Sequence, residues 1–114
     1  MRLVASAFVF LALACGASAA PTIVGEWAEN PSDCGTPYAY KIMPKGIAND
    51  TLMCMFDSVR RDGRDVIWKG SCSDGSASRR ETVVASDEPN GLRIDFLTSG
   101  GWVGPLRSCA PRRS

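Results

Sequence analysis

The chain of 114 residues contains no histidine. That absence removes Ser-His and Cys-His nucleophilic pairs and imidazole as a metal ligand. No two cysteines stand at C-x-x-C spacing: Cys34, Cys54, Cys72 and Cys109 are separated by 20, 18 and 37 residues, so a zinc knuckle is not encoded. Neither sign of charge dominates, with 13 Lys and Arg against 12 Asp and Glu, and the basic excess that nucleic acid requires is missing. Gly100-Gly101 lacks the following lysine and helix of a phosphate loop. The hydroxyls of Ser73 to Ser78 have no base beside them. The carboxylate pairs Asp62 with Asp65 and Glu26 with Glu29 read as surface charges at turns and strand edges. The sequence therefore points away from an enzyme, and from any cofactor or metal.

The one long apolar run is at the start. Arg2 is followed by Leu3 to Ala14, in which Ser6 is the only polar residue, and then by Ala17-Ser18-Ala19. A positive residue, a short apolar run and an A-x-A site make a secretory signal peptide over residues 1–19, too short for a membrane span. A lipid anchor at Cys15 is the alternative, because Leu11-Ala12-Leu13-Ala14-Cys15 resembles a lipobox. The Ala-rich signal suggests a bacterial source. The expected location is secreted or periplasmic, or the outer membrane if Cys15 carries lipid.

Residues 20–114 then form a single domain of about 95 residues, with 110–114 a loose tail. A chain that short buries only about 60–65% of its surface and gains from staples. With Cys15 removed or lipidated, Cys34, Cys54, Cys72 and Cys109 are an even set in an exported chain. That reads as two disulfides formed in an oxidising compartment. Three connectivities are possible. One of them closes Cys54 with Cys72 and leaves Cys34 with Cys109.

What is abundant is short alternating strands and turns. Tyr38, Tyr40 and Ile42 alternate with Ala39, Lys41 and Met43, up to Pro44-Lys45-Gly46. Leu92-Arg93-Ile94-Asp95-Phe96 alternates most cleanly, after the turn Glu88-Pro89-Asn90-Gly91. The longest unit is Cys54 to Cys72, one hairpin turning near Asp62-Gly63. A two-residue loop there pairs Phe56 with Lys69 and Asp57 with Trp68, mixing apolar and charged residues on both faces. A three-residue loop places Cys54, Phe56, Val66, Trp68 and Cys72 on one face. It places Met55, Asp57, Val59, Arg61, Asp65, Ile67, Lys69 and Ser71 on the other, with Asp57/Lys69 and Arg61/Asp65 paired across the strands. The three-residue loop is therefore expected. Together the segments predict an all-β fold: a small antiparallel meander of about seven to eight short strands, closed or nearly closed as a barrel.

Three features are candidates for binding, of which the glycosylation sequon Asn49-Asp50-Thr51 matters only in a eukaryotic source. Arg60, Arg61 and Arg64 crowd the hairpin tip and are a possible contact for an acidic partner or an anionic envelope component. Trp27, Trp68 and Trp102, with Tyr38 and Tyr40, either fill the core or line a barrel interior with room for one small ligand.

Ile23-Val24-Gly25-Glu26-Trp27, followed by Cys34, a strand and a second cysteine, resembles the start of the bacterial metalloproteinase inhibitors of the alkaline-proteinase type. The chain also resembles small cysteine-containing exported proteins of proteobacteria. The inhibitor resemblance covers about a third of the chain and implies a lipocalin-like periplasmic barrel with one disulfide in its first half. On that ground the implied pairing is Cys34–Cys54 and Cys72–Cys109. In that family a free N-terminal trunk enters the protease cleft; here only Ala20 to Val24 would precede Gly25, and the second cysteine pair is additional. The expected function is a small exported non-enzymatic binding protein that inhibits a protease or other envelope enzyme. The alternatives are a small-ligand carrier and an envelope lipoprotein anchored at Cys15. The expected partner is a protein or small molecule of the envelope or outside the cell, bound by a monomer.

Overall fold

The structure, a computed structural model, describes residues 23–110. The signal segment, Cys15 and the tail beyond Ala110 lie outside the described residues. Eight strands follow in order: β1 Gly25–Ala28, β2 Tyr40–Met43, β3 Gly46–Ala48, β4 Met53–Asp62, β5 Asp65–Ser73, β6 Ser78–Glu88, β7 Gly91–Phe96 and β8 Trp102–Ser108. Each pairs antiparallel with the next, and β8 returns to β1 through Trp27↔Ser108 and Ala28↔Arg107. The expected all-β meander is thus a closed barrel of eight strands. The strand that the sequence did not announce is β3. It pairs Ile42↔Ile47 and Met43↔Gly46, so Pro44-Lys45 is a two-residue link rather than the end of a ladder. Three residues are too few to show a period of two.

Eight strands enclose just enough room for side chains, and here side chains fill it. Trp68, Ile42, Ile47, Leu92, Ile94 and Leu106 are all fully buried. Alternation does the sorting in β7: Leu92 and Ile94 point inward, Arg93 and Asp95 outward. Trp102 stands opposite Asp95 in the ladder and so shares its outer face. It is 54% exposed, with the Arg93 guanidinium stacked 4.2 Å above its ring. Tyr38 is also exposed, and Trp27 and Tyr40 only pack against the core from partly buried positions. Of the five aromatics considered for the interior, Trp68 alone occupies it.

The hairpin departs from the expected register in an informative way. Its loop has two residues, Gly63 and Arg64, with Asp62 opposite Asp65, and Gly63 takes φ +65°, where glycine is at ease. Nearer the cysteines the pairs are Phe56↔Gly70 and Cys54↔Cys72, because a bulge at Asp57 shifts the register between Phe56 and Ser58. The expected inward face holds: Cys54, Phe56, Val66, Trp68 and Cys72 are all buried. The expected cross-strand pairs do not. Ser58 stands opposite Lys69 and Arg61 opposite Val66. Asp57 instead pairs with Arg80 at 3.1 Å, and Asp65 accepts the Ser86 hydroxyl at 2.8 Å. Gly70 accommodates the bulge. A Cβ there would collide with the Met55 carbonyl oxygen and stand 2.5 Å from the Phe56 Cα.

The disulfides are Cys34–Cys109 and Cys54–Cys72, which corrects the pairing implied by the inhibitor resemblance. Cys54 and Cys72 are direct ladder partners on the inward face, with Cα atoms 4.0 Å apart. Each is the other's nearest thiol, and a bond from either to a surface cysteine would have to leave the core. Cys34 follows the 3-10 turn Pro31–Asp33 beyond β1. Cys109 follows directly on β8, and its N–H donates to the Glu26 carbonyl at 2.8 Å. Their bond crosses the seam that closes the barrel.

Glu81 is the one buried charged side chain among the described residues. Its Oε2 accepts the Thr98 N–H at 2.6 Å and the Ser99 N–H at 3.3 Å, and its Oε1 accepts Arg79 Nε at 3.4 Å. The carboxylate thus anchors the 97–101 turn between β7 and β8. Burial pushes its pKa up, but the backbone donors and Arg79 outweigh that and hold it below its ordinary value of 4.5. A depressed carboxyl adds stability that is complete above the unfolded-state pKa and lost as pH falls through the folded one. Glu81→Gln is expected to cost about 1–3 kcal/mol at neutral pH, the worth of hydrogen bonds to a charged group. The gap from wild type should shrink below pH 4.5. Urea unfolding at neutral and acid pH measures both; a pH-independent gap would contradict the role given to the charge.

Candidate binding site at the barrel mouth

Strand lengths make the barrel lopsided. β4, β5 and β6 have 10, 9 and 11 residues, whereas β1, β2 and β3 have 4, 4 and 3. The long wall overhangs the short one at the end where the β4–β5 hairpin turns. Under the overhang is a cleft of about 310 Å³ lined by Ile23, Val24, Met43, Pro44, Val59, Arg61, Val66 and Trp68. Trp68 and Val66 form the floor. The chain entering β1 and the β2–β3 link form the low sides.

The bulge creates the high side. Directly opposed residues of a ladder share a face. Val59 stands opposite the inward Trp68, and Arg61 opposite the inward Val66. Both are therefore turned to the mouth rather than to the outer face expected for them. Val59 is 42% exposed, at a place where the barrel is no longer closed over it. Without the extra residue at Asp57 this wall would present the neighbouring side chains instead.

The floor is fixed. Trp68 is 2% exposed. Its ring stacks on Phe56, with centroids 5.1 Å apart and planes inclined by 11°, and its Nε1 donates to the Pro44 carbonyl at 3.2 Å. One side chain thus joins the core, the β2–β3 link and the base of the cleft.

The three arginines singled out in the sequence are only partly brought together. Arg61 lines the cleft. Arg60 stands opposite Ile67 and so turns to the other face. Arg64 lies in the hairpin loop and donates from Nη1 to the Asp87 carbonyl at 3.2 Å, tying the tip to β6. Arg79 pairs with Glu81 and Arg80 with Asp57. Arg112 and Arg113 lie outside the described residues.

The carboxylates are likewise structural. Glu26 Oε2 accepts the Gly35 N–H at 2.7 Å and lies 3.7 Å from Lys41 Nζ. Asp62 and Asp65 close the hairpin loop. Among the described residues no group of three or more His, Cys, Asp or Glu could hold a metal ion, and no helix is long and apolar enough to cross a membrane. What the mouth offers is an apolar floor, an exposed aliphatic wall and a guanidinium. Set beside known proteins, the chain matches no family model, no curated protein and no solved structure.

Proposed function

We propose that this chain is an exported, non-enzymatic binding protein that engages a partner protein through the barrel mouth, and that it acts as an inhibitor of a protease or other envelope enzyme. One observation carries the binding reading: the interior is filled by its own side chains, while an apolar cleft bearing Val59 and Arg61 opens at one end. A filled barrel has no room to carry cargo inside, and an apolar patch with charge at its margin matches the apolar core and polar rim of a protein contact. The two disulfides are consistent with an oxidising compartment. The inhibitor role draws on the resemblance of the Ile23 to Trp27 segment. A second reading has support in the cleft's volume, which lies at the low end of small-molecule sites: a small apolar anion held against Trp68 and Arg61.

The test is capture of periplasmic and culture-supernatant proteins on the oxidised protein, read by mass spectrometry, with variants in parallel. Val59→Asp, placed at an already exposed position, should abolish capture with little change in melting temperature. Tyr38→Ser, at the opposite end of the barrel, should leave it unchanged. Arg64→Ala should melt like wild type and weaken capture only if the hairpin tip is part of the contact. A partner held equally by wild type and Val59→Asp would exclude the mouth.

A further inference from the structure

The outer half of β4 has a ladder on one side only. Toward β5 it is paired along its whole length, from Met53↔Ser73 to Asp62↔Asp65, apart from the bulge. Toward β3 the pairs are Met53↔Ala48, Cys54↔Ile47 and Met55↔Gly46, followed by one bond from Phe56 N–H to the Lys45 carbonyl at 2.9 Å. Beyond it, Ser58, Val59 and Arg60 meet no strand on that side among the described residues. Three residues suffice for a ladder here, since β3 itself is three residues long. An open edge offers backbone donors and acceptors to another chain, and natural proteins guard such edges with charge. On this edge the guards beside Ser58–Arg60 are Lys45 in the link and Arg60 on the strand, with Asp62 beyond them at the hairpin loop. The neighbouring carboxylates are turned elsewhere, Asp57 to Arg80 and Asp65 to Ser86. A second copy of this chain is a poor occupant, because antiparallel pairing about Val59 would set Arg60 opposite Ser58, not opposite a carboxylate.

We propose that an extended segment of a partner protein, alternating apolar and acidic residues, adds as a strand to the outer edge of β4 over Ser58–Arg60. Its apolar side chains then enter the cleft beside Val59, and its carboxylates face Arg60 and Lys45. Main-chain bonds to the edge supply affinity, and alternate side chains supply selectivity. This rests on the mouth being the contact surface proposed above, and it names how the partner is held.

The probes are three hexapeptides blocked at both ends: alternating aspartate and valine, alternating lysine and valine, and the aspartate-valine peptide N-methylated at its two central residues. Adjacent methyl groups remove donors from both peptide edges and leave charge and side chains in place. Titrations are followed by amide chemical shifts and Trp68 fluorescence. The aspartate-valine peptide should bind and shift the amides of Ser58 to Arg60. The N-methylated peptide should bind about fivefold more weakly, the loss of one net hydrogen bond on whichever edge pairs, and the lysine peptide should bind more weakly still. Equal binding of the methylated and parent peptides would overturn strand addition. So would failure of the aspartate-valine peptide to bind at those amides. If Val59→Asp still abolished partner capture in that case, the mouth would remain the binding surface and only the strand-addition mode would fall.

Discussion

Trp68→Ala is expected to destabilise the domain by about 3–5 kcal/mol, the usual cost of emptying a large buried aromatic site. The ring is buried at the centre of the hairpin and stacked on Phe56. The substitution also leaves the Pro44 carbonyl without its indole donor. At roughly 4–8 °C per kcal/mol for a domain of this size, melting should fall by more than about 12 °C. That could exceed half of a total stability of roughly 5–15 kcal/mol. The loss should also be felt at the mouth, because the same side chain is the cleft floor and holds the β2–β3 link. A Trp68→Ala protein that melts within a degree or two of wild type would mean that the tryptophan is not in the core.

Removing the Cys34–Cys109 bond by paired alanine substitutions should cost about 4–5 kcal/mol. The cysteines are 75 residues apart, and the loop-closure entropy restored to the unfolded chain grows with the logarithm of that separation. The bond between Cys54 and Cys72 spans 18 residues, so its entropic share is nearer about 3 kcal/mol. The two losses should also differ in place. The β1–β8 seam has few ladder pairs of its own, so without Cys34–Cys109 amide exchange should quicken first at Trp27, Ala28, Arg107 and Ser108. The long ladders of β4, β5 and β6 should keep their protection until global unfolding. Seam amides that stay as protected as in the intact protein would contradict the clamp.

These effects show which parts of the molecule could be read from the chain. Alternation at Leu92 to Phe96 and at Val66 to Trp68 was legible because each strand has one buried face, and a period of two then follows. Trp102 was not, since bulk and apolarity do not decide the side of a strand; its pairing with Asp95 does. The disulfide pairing is not legible from the short resemblance, which implies Cys34–Cys54, whereas the hairpin's own geometry allows Cys54 to meet Cys72. Glu81 gave no signal at all, because the turn that it anchors is 17 residues away at Thr98 and is brought to it only by the β6–β7 ladder. The cleft was hidden for one reason: a single extra residue at Asp57 reverses the side to which Val59 and Arg61 point. One clue was present. A glycine inside a strand pattern, here Gly70, often marks a bulge or a close backbone approach.

The site therefore depends on the register of one hairpin, and that register is directly measurable. Nuclear Overhauser contacts across β4 and β5 in the oxidised protein should place Val59 opposite Trp68 and Ser58 opposite Lys69, with Phe56 opposite Gly70 beyond the bulge. Contacts that place Asp57 opposite Lys69 and Arg61 opposite Asp65 would show an unbulged hairpin. Val59 and Arg61 would then face away from Trp68, and the wall of the proposed binding site would not exist.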